Sequence, residues 1–535
     1  MRVVYPLTAL VLMGAAAPHA DVAVELPIKL APDAAGRLLV FAEPATPANA
    51  AADSIDVAEP GQPTVSVAAR DGASFGKRRI VTVDTERNAF PDGFSALRPG
   101  AYRVQVVLDR DGSYAYGGRG PGDLISRVVT LQFPLDTVPS IALDHAVPQE
   151  LGQFETTGLP PKAAEQILAS RAHLHDERIA SPLLTHFGGA PRSIAAWVLT
   201  PPGYDPSAPN TYPTVFTAGG FGATHRLDGQ QLSRQWHLME TGELPPMIWV
   251  ALDYAGRTGT TEFADSINNG PWGQALVDEV IPTLEARYRM DARPSGRFLT
   301  GHSSGGWFAL WAIVQHPDFF GGAWATSPDP PAFNNFLGVD LTAPGANMYR
   351  DADGASRPFS RDHGATTMTI AQAARLEAVL GHAGGQLRSF EWVFSPKLTN
   401  GDPAYMFDRT TGAVDPAVAV YWHDHYDVSH LIATNWPALR PSLDGKLHVV
   451  VGTADSLFLD GSVRRLEAAI KAVGGKTDFT YVLGASHHMN EVYAQGTDRN
   501  ALWKAMTAQM SAIAHPERPP YLPPTNRREI HDLPE

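Results

Sequence analysis

The feature that most constrains the fold is a regular alternation of two kinds of segment from about residue 192 onward. Short, nearly continuous apolar runs of strand type are separated by segments whose apolar residues recur at helical spacing. The strand-type runs are 193–202, 212–220, 247–254, 297–303, 321–327, 446–455 and 479–484. Continuous apolar runs are typical of strands buried on both faces. The pattern therefore predicts an α/β fold, in which helices flank a mostly parallel sheet.

One segment between two strand-type runs is much longer than a connection through a single helix requires. Residues 328–445 are aromatic-rich and separate two successive strand-type runs. A connection of this length points to a functional or inserted element. We interpret it as a large insertion, or lid, over one end of the sheet. A Pro-rich stretch, 516–535, is predicted to be an extended tail, so the α/β domain should span 191–515.

The first part of the chain shows strand patterning alone. In the run 100–110, Tyr102, Val104 and Val106 fall on one face by strict alternation. Similar short runs with turn residues between them are typical of a β-sandwich, which we place at 21–140. Residues 141–190 are predicted to be a connector with one helix, at 163–174.

Composition and charge exclude several kinds of function. The 535 residues carry a net charge of −14 and contain no cysteine. Without clustered basic residues a nucleic-acid partner is not expected, and without cysteine there is no thiolate nucleophile or Cys-based zinc site. We predict neither a cofactor nor a metal. The run 422–430 holds His423 and His425, and we interpret it as a pocket-lining loop rather than a metal site.

The N-terminus has the pattern of a secretory signal. Arg2 precedes an apolar stretch at 3–13, and small residues follow at 14–20. This order predicts a signal peptide at 1–20 and an exported, periplasmic or secreted protein. The apolar stretch is too short to span a bilayer, and no later run reaches the required length. We therefore predict no membrane span.

The motif GHSSGG, at 301–306, lies between a strand-type run and a helical pattern. In G-x-S-x-G the glycines bracket the nucleophile of a sharp strand-to-helix turn, which selects Ser303. Ser304 would then offer its backbone N–H at the helix start to a developing oxyanion. The alternative is that the serines only cap a helix.

A serine nucleophile requires a base and an orienting carboxylate. In this kind of fold the acid and then the histidine follow the serine along the chain. Asp455 comes directly after the 446–455 run, with Asp460 as the reserve. His487 follows the last strand-type run, with His488 as its reserve.

Other residues are predicted to complete the site. The Gly-rich loop 217–225 should supply the second oxyanion N–H, from Phe221 or alternatively Gly220. Candidate substrate contacts are Gly220, His302, Trp307 and Asn268. The alternatives are core packing for Trp307 and a turn-shaping role for Asn268.

These motifs together resemble the esterase D family of α/β-hydrolases. The resemblance rests on LTPPGYDP from Leu199, TAGGFG, GHSSGGWFALW, HPDFFGGAWATSPD and VGTADSLFLD, and on the final histidine loop, across about 190–510. It implies an α/β-hydrolase fold with Ser303, Asp455 and His487 as a catalytic triad. The insertion is longer than in compact members of that family.

The expected function is hydrolysis of a small-molecule or carbohydrate-linked carboxylic ester. An acyltransferase with the same triad and a non-catalytic carbohydrate-binding protein on this fold are the alternatives. The oligomeric state is open at this point.

Overall fold

The computed structural model describes residues 21–27, 30, 34–57, 65–77, 79–112, 114, 119–148, 160–225, 229–381, 385–489, 498, 500–519 and 521. These residues form two compact units. The first contains the described residues within 1–56, 64–110 and 124–146, and the second those within 57–63, 111–123 and 147–535. The predicted signal peptide, 1–20, and residues 522–535 of the predicted tail lie outside the described residues.

The first unit is built from β-strands. Their bounds are β1 Val22–Glu25, β2 Ala35–Pro44, β3 Ser66–Ser74, β4 Ile80–Val83, β5 Ala89–Phe90, β6 Gly100–Asp109, β7 Leu124–Ser126, β8 Val129–Phe133 and β9 Ser140–Ala146. The hydrogen bonds run in one path, β4-β1-β9-β7-β6-β2-β3-β5, with β8 also paired to β6. Alternate residues such as Val104 and Val106 of β6 enter one shared apolar core. A division into two packed sheets stays a prediction.

The structure corrects the predicted connector at 141–190. Its first residues belong to β9, and its second half forms helix α1 Pro161–Arg171, strand β10 Leu174–Ala180 and helix α2 Pro182–Gly188. The strand was missed because β10, with the sequence LHDERIA, is an edge strand with several exposed positions. An edge strand of this kind lacks the continuous apolar run by which a central strand is found.

The second unit is centred on an eight-stranded sheet in the order β10-β11-β13-β12-β18-β19-β22-β23. Its strands and three small hairpins have the bounds β11 Ser193–Leu199, β12 Thr214–Ala218, β13 Ile248–Leu252, β14 Ala255–Gly256, β15 Gly259–Thr260, β16 Asp265–Ser266, β17 Gly270–Pro271, β18 Arg297–His302, β19 Gly322–Thr326, β20 Pro358–Asp362, β21 Ala365–Thr369, β22 Leu447–Gly452 and β23 Asp478–Val482. Strand β11 is antiparallel to both neighbours, and the pairs from β13 to β23 are parallel. The predicted mostly parallel sheet is confirmed.

Helices of this unit pack on the sheet or on other helices and hairpins. Their bounds are α3 Gly229–Glu240, α4 Trp272–Ala275, α5 Ile281–Arg287, α6 Ser304–Gln315, α7 Ile370–Leu380, α8 Gln386–Phe394, α9 Pro416–Tyr426, α10 Val428–Leu443, α11 Leu459–Ala472 and α12 Ala501–Ala514. Helices α6 and α11 pack on the sheet, and α7, α8 and α9 pack on other helices and hairpins. A π-helical turn, Leu276–Val280, joins α4 to α5. Helix α6 is buried from Ser304 to Val314, so it crosses the centre of the unit. Within the described part of the chain, no helix combines the length and hydropathy that a bilayer crossing needs.

The segment 328–445 packs on the nucleophile-side helix α6 through an aromatic core. Phe394 of α8 lies with its ring centroid 5.0 Å from Trp307 and 5.2 Å from Trp422. All three side chains are buried, and Phe333 joins them. Ring pairs at these distances add to the stabilisation from apolar burial. The segment is therefore anchored to α6 by buried aromatic contacts.

Candidate active site

The turn between β18 and α6 is as sharp as the G-x-S-x-G motif predicts. Ser303 has φ 57° and ψ −123°, a conformation that non-glycine residues rarely adopt. A Cβ on Gly301 would lie 2.2 Å from the carbonyl oxygen of Gly305, and one on Gly305 would lie 2.0 Å from that of Ala218. Glycine is needed at both positions because the strand, the helix and the β12 loop approach without room for a side chain. This packing holds Ser303 at the carboxyl edge of the parallel strands.

Replacing Gly305 by alanine should destabilise the protein. The added methyl group would meet backbone atoms of two neighbouring residues, which cannot move as a flexible side chain could. We expect the free energy of unfolding to fall by about 3 kcal/mol, measured by urea denaturation. The control is Gly256→Ala, where the added Cβ meets only an oxygen at 3.9 Å. Equal stability of Gly305→Ala and Gly256→Ala would contradict this account of the turn.

The structure brings together the three residues predicted as a triad. The Oγ of Ser303 lies 3.2 Å from Nε2 of His487, and Nδ1 of His487 lies 3.0 Å from Oδ2 of Asp455. All three are buried. Because a carboxylate only accepts, Nδ1 of His487 carries the proton of the second contact, which leaves Nε2 to accept from the serine hydroxyl.

The loop after β22 positions the Asp455 carboxylate as a hydrogen-bond acceptor. Its Oδ1 accepts hydrogen bonds from the backbone N–H of Leu457, at 2.9 Å, and of Leu459, at 3.3 Å. Burial by itself raises the pKa of this carboxyl, but the facing His487 and these hydrogen bonds outweigh it, so the pKa lies below its usual value. Asp455 can therefore orient the imidazole and face its positive form.

The two reserve residues lie elsewhere. Asp460 faces Arg361, at 3.7 Å, and Arg464, at 3.7 Å, from the first turn of α11. The His488 side chain is exposed, and its ring centroid lies 5.3 Å from that of His487. Of each pair, Asp455 and His487 are the ones that line up with Ser303.

The loop after β12 lies directly against the serine. A Cβ on Gly220 would be 3.4 Å from Cβ of Ser303 and 3.9 Å from its Oγ. The Tyr254 hydroxyl donates a hydrogen bond to the carbonyl oxygen of Gly219, which holds the loop. Ser304 begins α6, so its N–H points out of the helix start. The oxyanion roles of Ser304 and of Phe221 or Gly220 stay predictions.

His302 lies beside the triad as a neutral ring. Its Nδ1 is 3.1 Å from Oγ1 of Thr326, a hydroxyl that donates to the carbonyl oxygen of Gly301. Burial, followed by the neighbouring His487 and His488, lowers the pKa of His302 to about 3. The Nε2 of His302 has no hydrogen-bond partner among the described residues, and its ring centroid is 4.7 Å from that of His487.

The two other candidate substrate contacts, Trp307 and Asn268, are buried in contacts within the protein. The Trp307 indole is buried between Trp311 and Phe394, which favours the core-packing alternative. Asn268 is also buried, and its Nδ2 donates to the carbonyl oxygen of Ser395 at 2.7 Å. Asn268 thus ties its loop to the end of α8.

Sequence reasoning missed two buried carboxyl groups next to the serine. Asp329 Oδ1 lies 3.3 Å from Oγ of Ser303, and Glu262 lies behind it. Asp329 comes three residues after β19, at the carboxyl edge where the triad also lies. An acidic residue after a buried parallel strand is the signal that would have found it. His225 was missed as well. Its Nδ1 lies 2.7 Å from Oδ2 of Asp253, and this contact ties the loop after β12 to the end of β13.

The sheet order, with its antiparallel second strand, and a serine at a strand-to-helix elbow define an α/β-hydrolase enzyme. A model of the family described as Putative esterase matches residues 189–512. This match spans more than half of the chain. The chain therefore belongs to that family, and its class of enzyme is an esterase.

Comparison with solved structures gives distant matches. A ferulic acid esterase is 15% identical, with 64% of this chain and 98% of the other covered and a TM-score of 0.37. An S-formylglutathione hydrolase from Agrobacterium tumefaciens is 15% identical, with 62% of this chain and 95% of the other covered and a TM-score of 0.33. A CE1 ferulic acid esterase from Anaeromyces mucronatus is 14% identical, with 64% of this chain and 92% of the other covered and a TM-score of 0.33. No curated protein sequence matches this chain.

Proposed function

We propose that this esterase cleaves its substrate through an acyl-enzyme formed on Ser303. The observation that carries the proposal is the unbroken chain of contacts from Asp455 through His487 to the serine Oγ. A neutral hydroxyl is a weak nucleophile unless a base takes its proton during the attack. Nε2 of His487 is placed for that role, and Asp455 holds the ring by its other nitrogen.

In the proposed reaction Ser303 Oγ bonds to the ester carbonyl carbon while its proton passes to His487. The carbonyl oxygen becomes an oxyanion, and the N–H groups of Ser304 and Phe221, or Gly220, stabilise it. His487 returns the proton to the departing alcohol as the carbon–oxygen bond of the ester breaks. Water, activated by the same imidazole, then hydrolyses the acyl-enzyme and restores the serine.

The proposed substrate follows from the esterase family to which the chain belongs. A cavity of about 510 Å³ is lined by Gly220 and His302 next to the elbow and by Leu238 and Trp503, and its lining residues do not include Ser303, His487 or Asp455. We propose a small-molecule or carbohydrate-linked carboxylic ester, with no nucleic acid as partner. On the pattern of residues 1–20 we also propose that the protein is exported.

Covalent labelling tests the nucleophile. We expect a fluorophosphonate to modify the purified protein at one site per chain, and peptide mapping to locate it at Ser303. The matched control is Ser304→Ala, which removes the neighbouring hydroxyl and keeps the backbone N–H, so labelling should persist. Absence of labelling in the wild type, or a label that maps to another residue, would reject the proposed function.

A further inference from the structure

Two buried carboxyl groups outside the triad, those of Asp329 and Glu262, lie near the elbow. Asp329 binds the elbow twice: its N–H donates to the carbonyl oxygen of Ser303 at 3.0 Å, and its Oδ1 accepts from the serine Oγ at 3.3 Å. Its Oδ2 accepts from the Ser304 hydroxyl. The single proton of the serine hydroxyl therefore has two acceptors at nearly equal distance, His487 Nε2 at 3.2 Å and Asp329 Oδ1 at 3.3 Å, and it can be donated to one of them at a time.

Glu262 stands next to Asp329 in the same dry region. Its Oε1 accepts from Thr260 Oγ1 at 2.8 Å, and its Oε2 is buried without a hydrogen-bond partner among the described residues. Glu262 and Asp329 are 1% and 2% exposed. Among the residues that the structure describes, no Lys or Arg forms an ion pair with either. The charge of Asp329 acts on Glu262, and two buried carboxyl groups that interact without a cationic partner favour a state in which the pair holds one proton.

The two sites differ in how well they hold a negative charge. Burial and then the charge of Asp329 raise the pKa of Glu262 well above its usual value. Burial also raises the pKa of Asp329, but hydrogen bonds from Ser304 and Ser303 and the neighbouring His487 oppose this. The proton therefore belongs on Glu262, and the negative charge on Asp329.

We propose that Asp329 is a fourth polar residue of the site, a carboxylate that positions the Ser303 hydroxyl and stabilises the His487 imidazolium, while Glu262 keeps the pair's single proton. The inference deepens the proposed function and rests on it. During acylation the serine proton passes to His487, and neither Asp329 nor Glu262 exchanges one. The imidazolium then lies between two carboxylates, Asp455 at Nδ1 and Asp329 across the serine.

Asp329→Asn tests the charge, because asparagine keeps the size; its Oδ1 can still accept from one serine hydroxyl, while its Nδ2 can donate to the oxygen of the other. The charged and titratable groups around His487 are Asp455, Asp329, His302 and His488. With one negative charge removed, the imidazolium forms less readily, so the acidic limb of the kcat/KM profile should move to lower pH by about one unit. The same lost interaction should lower the plateau of kcat/KM about tenfold. A chromogenic acetate ester serves as the probe.

An unchanged profile would overturn the proposal. A lower plateau with an unmoved acidic limb would overturn it too, because a purely structural role predicts that result. Circular dichroism and thermal unfolding establish whether the variant is folded.

Infrared spectroscopy tests the shared proton without relying on catalysis. At neutral pH the wild type should show the C=O stretching band of a protonated carboxylic acid, and Glu262→Gln should remove it. Absence of the band in the wild type, or its survival in Glu262→Gln, would overturn the assignment even if Asp329→Asn did not fold. If fluorophosphonate labelling failed while the band was present, the proposed function would be rejected and the shared proton would stand.

Discussion

Ser303→Ala should lower kcat for ester hydrolysis by about 10⁴-fold or more. The substitution removes the one atom that forms the acyl-enzyme and leaves the glycines of the elbow in place. Residual turnover should come only from binding and from the oxyanion N–H groups. Since the serine is buried and the methyl group fits its site, the free energy of unfolding should change little. Steady-state hydrolysis of a chromogenic ester, with urea denaturation of the same preparation, measures both quantities.

The size of this effect separates two classes of protein. A drop of this size in a folded variant is expected of a serine esterase. Turnover that persists in Ser303→Ala would mean that the hydrolysis does not use this residue. The absence of hydrolysis from the wild type across a panel of esters would instead favour the carbohydrate-binding alternative.

Asp455→Asn should lower kcat by about 10⁴-fold. The amide group that replaces the carboxylate can donate to Nδ1 of His487, which would place the ring proton on Nε2, facing the serine. In that tautomer the imidazole cannot accept the hydroxyl proton, and the charge that faces the imidazolium is also lost. Rates with a chromogenic ester, compared at equal folded concentration, check the result.

The matched control is Asp460→Asn, five residues further along the chain. Asp460 faces Arg361 and Arg464 and does not contact His487. Its variant should keep activity close to the wild type, although it also loses one negative charge from the same region. Similar losses in Asp455→Asn and Asp460→Asn would show that general charge, and not the contact with His487, matters.

The α/β core and its elbow could be predicted because they follow from local patterns. The apolar runs predicted seven strands of the large sheet, β11, β12, β13, β18, β19, β22 and β23. Two glycines four residues apart identified the serine between them. The order of acid and histidine along the chain then left two candidates for the acid, Asp455 and Asp460, and two for the base, His487 and His488. Edge strand β10 escaped prediction because its polar residues share the solvent-exposed margin of the sheet.

The sequence by itself determined the mostly parallel sheet, the sharp turn at Ser303 and the order in which an acid and a histidine must follow. These features depend on residue type and on spacing along the chain, and both can be read without a structure. Only the tertiary structure decided between Asp455 and Asp460 and between His487 and His488, and placed Trp307 in an aromatic core. Only the structure brought Glu262 and Asp329 together behind the serine. The reason is that those two carboxyl groups lie 67 positions apart in the sequence. Their approach depends on how β18, β19 and the loops after β13 and β19 pack, which no local pattern records.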